Sequence, residues 1–85
     1  MEIVFTLSAQ EDIAYWKSSG NKQIQNRIKL LLIAIDQNPF HGIGKPEALK
    51  HQLSGKWSRR IDREHRIVYS IESSTITVFS LRYHY

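Results

Sequence analysis

Apolar and polar positions change period several times along this chain. From Glu2 to Leu7, Ile3, Phe5 and Leu7 alternate with Glu2, Val4 and Thr6, which predicts a strand. Ser8 followed by Glu11 has capping-box spacing, and Ile13, Trp16 and Lys17 continue at helical spacing to Ser19. Gly20 ends that helix as a residue at ease in the left-handed region. Asn21 can cap a second helix running to about Gln37, whose stripe of Ile24, Ile28, Leu31, Leu32 and Ile35 forms one apolar face in need of a sheet. Pro39, Gly42, Gly44 and Pro46 then mark a connection. Three strands follow: Lys56 to Asp62, His65 to Glu72, and Thr75 to Leu81 or beyond, with Ser73-Ser74 as a hairpin turn between the last two. The order predicts an α+β fold, a mostly antiparallel sheet with two N-terminal helices packed on one face.

Face alternation refines the sheet. Trp57, Arg59 and Ile61 share one face, and Ser58, Arg60 and Asp62 the other. In the next strand Ile67, Tyr69 and Ile71 are the apolar face, opposed by Arg66, Val68 and Ser70. Matching the apolar faces sets Trp57 near Tyr69, with a turn at Asp62 to Glu64, and leaves Arg60 directly across from Arg66 on the open face. Opposed like charges destabilise a sheet by roughly 0.2–1 kcal/mol. An anion held between the two guanidiniums would offset this. The last strand is ambiguous, because Ile76 and Val78 point one way while Phe79 and Leu81 point the other.

Composition narrows the classes. Eighty-five residues, 41% of them hydrophobic, describe one small globular domain over residues 1–85. The longest apolar run, Leu30 to Ile35, is too short to cross a membrane, and zero cysteines remove disulfides, thiol nucleophiles and cysteine zinc sites. A reducing cytoplasm is the expected compartment. Twelve basic and eight acidic residues give +4, all of it carried by residues 43–85, where eight basic side chains face four acidic ones. Charge gathered in one half points to a polyanionic partner, or to an ordinary solvated basic surface.

Ionisable groups gather in Lys45-Pro46-Glu47-Ala48-Leu49-Lys50, in Arg59-Arg60 with Arg66, and in Arg82-Tyr83-His84-Tyr85. Metal-free cleavage of RNA needs a base for the 2′-hydroxyl, an acid for the leaving 5′-oxygen and cations for the phosphorane. A carboxylate, an imidazole and arginines meet those needs. Each segment alone has a plainer explanation: an exposed Glu47–Lys50 ion pair, a charged strand edge, a frayed terminus. His41, His51 and His65 lack ligand spacing with carboxylates and read as surface or turn residues, so neither a metal nor another cofactor is expected.

These residues resemble the YoeB branch of the RelE-like toxins of bacterial toxin–antitoxin systems. The likeness is densest in Asn38-Pro39-Phe40, Gly42, Gly44-Lys45-Pro46-Glu47, Leu49-Lys50, Leu53-Ser54-Gly55, Trp57-Ser58-Arg59-Arg60-Ile61, Glu64-His65-Arg66-Ile67-Val68-Tyr69 and the final Arg82-Tyr83-His84-Tyr85. Ala48 stands where a proline is common, and Lys56 where an aromatic residue often precedes the tryptophan. The resemblance implies a RelE-like, microbial-ribonuclease-like fold and a ribosome-dependent mRNA endonuclease. It assigns the general base to Glu47, phosphate stabilisation to Arg66 and the general acid to His84, with Lys50, Arg60 and Tyr85 holding RNA or supporting those groups. It further implies a YefM-like antitoxin that covers the site, operator DNA bound only through the antitoxin complex, and a homodimer as one assembly at the ribosome. Two other classes compete: a non-catalytic ParE-like toxin binding DNA gyrase, and a plain basic RNA-binding module.

Overall fold

The computed structural model describes residues 1–83. Strand β1 (Glu2–Phe5) leads into helix α1 (Leu7–Ser19) and helix α2 (Lys22–Gln37). A loop then reaches a two-residue strand, β2 (Glu47–Ala48), and a single 3-10 turn (His51–Leu53). Strands β3 (Lys56–Arg60), β4 (Arg66–Glu72) and β5 (Thr75–Ser80) complete the order. The five strands form one sheet in the order β1-β5-β4-β3-β2, parallel between β1 and β5 and antiparallel elsewhere.

Local chemistry explains the boundaries. Gly20 ends α1 at φ 72°, and Asn21 caps α2 by accepting from the N–H of Ile24 at 3.1 Å. The cap of α1 is Thr6, not Ser8. Its Oγ1 accepts from Ala9 N at 3.2 Å while its hydroxyl donates to the Phe79 carbonyl, so a contact with β5 selects the cap and β1 stops at Phe5. The face of α2 made by Ile24, Ile28, Leu31 and Ile35 is buried with Ala9 and Trp16 of α1 against Ile67, Tyr69, Ile76 and Val78 of the sheet.

Register follows the alternation argument. Trp57 pairs with Tyr69 and Arg60 with Arg66, across a turn closed by Ile61 N donating to the His65 carbonyl at 3.0 Å. A bulge between β4 and β5 at Val68/Tyr69 resolves the mixed faces of the last strand. Val68 pairs with Ser80 and Tyr69 with Val78, so the chain gains one residue at Phe79. Leu81 thereby joins Ile76 and Val78 in the core, while Phe79 lies under the Lys56 ammonium at 4.2 Å. Strand β2, the 3-10 turn and the parallel β1–β5 pair have no counterpart in the periodicity.

Candidate active site

The loop between α2 and β2 is held from below by one buried side chain. Arg59 is wholly buried in β3, and its guanidinium donates to the carbonyls of Asn38, His41 and Ile43 and to the hydroxyl of Tyr69. Tyr69 in turn donates to the Pro39 carbonyl at 2.7 Å. Burial pushes the Tyr69 phenol above its usual pKa, against the opposing pull of Arg59. At Gly44, φ is 86° and an added Cβ would lie 2.8 Å from Leu31 Cδ2, so a side chain there would be strained and would collide. The Gly44 carbonyl accepts from Arg60 N at 2.7 Å. Lys45-Pro46-Glu47 is thereby delivered to the sheet edge, where Glu47 pairs with Ser58.

Lys45, Pro46, Glu47, Arg60 and Arg66 line an open cleft of about 210 Å³ at that edge. Arg66 Nη1 lies 3.9 Å from Glu47 Oε1 and 3.4 Å from Ser58 Oγ. The Glu47 side chain is 59% exposed and that of Arg66 only 15%, so the guanidinium is set in place while the carboxylate faces solvent. Glu47 supplies part of the counter-charge that the Arg60–Arg66 opposition calls for. Three cationic side chains around one accessible carboxylate can hold a phosphate and still accept a proton. Lys50 lies on a neighbouring surface cleft, lined by residues 47–51 and Leu53, that shares Glu47 with the first.

The C-terminal segment is fastened beside this cleft. Leu81 N donates to Asp12 Oδ2 at 2.8 Å, and the Leu81 carbonyl accepts from Trp16 Nε1 at 2.9 Å. Arg82 stacks on Tyr15, with its guanidinium carbon 3.5 Å from the ring centre. The Tyr83 carbonyl accepts from Arg66 N at 3.1 Å. His84 and Tyr85, assigned general acid and RNA contact, lie outside the described residues. His41 and His51 are exposed, as the sequence reading expects. His65 does close a turn, but its ring is buried against Trp16 and Tyr83, held there by the Tyr83 N–H that its Nδ1 accepts at 2.8 Å. Sequence reasoning grouped Lys45 with Glu47 without giving it a role, and it missed the buried Ser58 behind Arg66, discoverable from its sharing a strand face with Arg60. No three His, Asp or Glu side chains converge among the described residues.

The fold is that of the RelE-like toxins. Escherichia coli YafQ has it at a TM-score of 0.81 over 98% of this chain and 92% of that one, although at 13% identity that likeness speaks for the fold alone. A family model described as the YoeB-like toxin of bacterial type II toxin–antitoxin systems matches residues 5–85, and the chain belongs to that family. The Toxin YoeB of a Synechocystis species is 48% identical over 85 residues, covering all of this chain and 98% of the relative. A YoeB/ParE toxin structure from Agrobacterium tumefaciens superposes with a TM-score of 0.95 at 39% identity, each chain covered in full. The toxin in a YoeB–YefM complex from Staphylococcus aureus does so at 0.89 and 44%, covering 100% of this chain and 98% of that one. The same species also yields a structure of a YoeB dimer (TM-score 0.90, 43% identity, the same coverage).

Proposed function

We propose that this chain is a ribosome-dependent endoribonuclease that inhibits translation by cutting mRNA, with residues 1–85 acting as one domain. Glu47 takes the proton of a ribose 2′-hydroxyl, whose oxygen attacks the adjacent phosphorus. Arg66, with Arg60 and Lys45 nearby, stabilises the charge of the phosphorane. His84 gives its proton to the departing 5′-oxygen, leaving a 2′,3′-cyclic phosphate and a 5′-hydroxyl. Lys50 and Tyr85 contribute to holding the RNA, and the scheme uses neither a metal nor a cofactor. The observation that carries this reading is the cleft itself, one solvent-facing carboxylate among Lys45, Arg60 and Arg66. A protein that only bound phosphate would gain nothing from that carboxylate.

Partners follow from the relatives. A YefM-like antitoxin would cover the cleft, and the complex would bind operator DNA and repress its own operon. The Staphylococcus aureus complex and dimer support an antitoxin-bound form and a homodimer. The described helices include none long and apolar enough to cross a membrane, and a ribosomal substrate fits action in the cytoplasm. Primer extension on a translated message tests the reading: cuts should appear only where ribosomes translate. Glu47→Gln should slow cleavage by the ~10²–10⁴ of one lost acid–base group while ribosome binding persists. Equal activity would put the base elsewhere. Arrested supercoiling by gyrase with messages left intact would favour a gyrase-binding toxin.

A further inference from the structure

We propose that His65 is a positioning residue whose neutral imidazole fixes the point from which the catalytic C-terminus departs; this rests on the assignment of His84 as general acid. The ring is rooted in a rigid turn. Asp62 Oδ1 accepts from His65 N at 2.7 Å, and the His65 carbonyl accepts from Ile61 N at 3.0 Å. Trp16 meets the imidazole edge-on, with ring centres 4.8 Å apart, and the same indole holds the Leu81 carbonyl. From this support His65 Nδ1 accepts the N–H of Tyr83 at 2.8 Å. Accepting at Nδ1 requires that nitrogen to be unprotonated, with the hydrogen on Nε2, the nitrogen that lies 4.0 Å from Glu64 Oε1.

Consecutive residues of β4 and its turn therefore hold both backbone polar groups of Tyr83: His65 takes its N–H, and Arg66 N–H binds its carbonyl. Tyr83 also has φ 61°, a conformation a side-chain-bearing residue keeps only when its surroundings over-determine it. A surface tail needs none of this. A general acid on the next residue does, because successive α-carbons are ~3.8 Å apart and a fixed Tyr83 limits where that acid can reach. The residue that binds the Tyr83 carbonyl through its backbone is the same Arg66 whose side chain lines the cleft. One strand end thus ties the tail's geometry to the phosphate-binding group.

Two variants separate positioning from packing. His65→Leu fills similar space without an acceptor, whereas His65→Asn loses ring packing but keeps an acceptor oxygen near the Nδ1 position. Single-turnover cleavage on programmed ribosomes should fall on the order of a hundredfold in His65→Leu, the effect of misplacing a reacting group by about 1 Å. Affinity for those ribosomes should be unchanged. His65→Asn should recover most of the rate even though its melting temperature falls at least as far. The rate then follows the acceptor and stability follows the ring. Wild-type cleavage in His65→Leu, or rates that track melting in both variants, would overturn the proposal. Should the wild-type protein cut nothing, the reading of His84 fails instead, and the clasp is judged by hydrogen exchange at the Tyr83 amide. Protection in wild type and His65→Asn but not in His65→Leu supports it; equal protection in all three refutes it.

Discussion

Replacing Arg59 by methionine keeps much of the volume and removes the charge, which tests what holds the loop over the sheet. The guanidinium donates to four acceptors: three loop carbonyls and the Tyr69 hydroxyl. Hydrogen bonds from a charged donor contribute ~1.5–3 kcal/mol each, so the gross loss is roughly 6–12 kcal/mol. Two effects reduce it. The variant no longer buries an ion, a relief of several kcal/mol, and the carbonyls of this largely exposed loop can return to water. A net loss of about 3 kcal/mol remains when several kcal/mol of relief are taken from the middle of that gross range. A chain of this length is stable by only ~4–13 kcal/mol, so the loss is a large share of the total. With a urea slope near 1 kcal/mol per molar, the unfolding midpoint should drop by about 3 M. Arg59→Lys should recover only a fraction, since one ammonium cannot serve acceptors spread across a planar fork. A drop below about 0.5 M would show that water replaces the guanidinium freely and that the loop needs no such clamp.

The neighbouring arginine should behave in the opposite way. Arg66→Ala should abolish most cleavage in a single-turnover assay while changing stability by ~1 kcal/mol or less, because its Glu47 partner is largely exposed. Deleting His84 and Tyr85 should leave folding, antitoxin binding and ribosome association intact but slow cleavage at least ~100-fold, with His84→Gln reproducing most of the loss. Normal cutting by the truncated protein would remove His84 from the mechanism. Burial holds the Tyr69 pKa above its unfolded value of ~10, so the unfolded chain releases that proton first. Stability should thus be complete below pH 10 and fall as pH rises through the folded pKa, and denaturant titrations of Tyr69→Phe should lack that component.

Alternation alone carried the β3–β4 register, including Trp57 against Tyr69 and Arg60 against Arg66, because one buried face forbids a one-residue slip. The α2 stripe and both inter-helix caps were legible for the same reason: each is a local rule. What escaped depends on distant groups. Thr6 outcompetes Ser8 through a carbonyl of β5, and the Phe79 bulge makes sense only beside β4. Arg59 and Arg60 are adjacent in sequence, yet one clamps a loop and the other faces solvent. Alternation gave their faces, but the roles of Arg59 depend on which carbonyls the loop brings over it. The buried His65 was hidden likewise, since nothing near it in sequence announces Trp16 or Tyr83 as its neighbours.

The parallel pairing of β1 with β5 bears on how the chain comes to be folded at all. Residues 2–5 find their strand partners at 75–78, and α1 is capped and anchored through residues 79 and 81. Such closure has nearly the largest loop a chain of this size allows, and contacts of that separation form late and slow the overall rate. A nascent chain lacking residues 75–81 has a first strand without a partner and a first helix without its contacts to residues 79 and 81. The sheet therefore cannot be completed segment by segment as the chain emerges. Its closure waits until residues 75–81 have cleared the ribosome that made them, so β1 and β5 join only when both ends of that long loop are free.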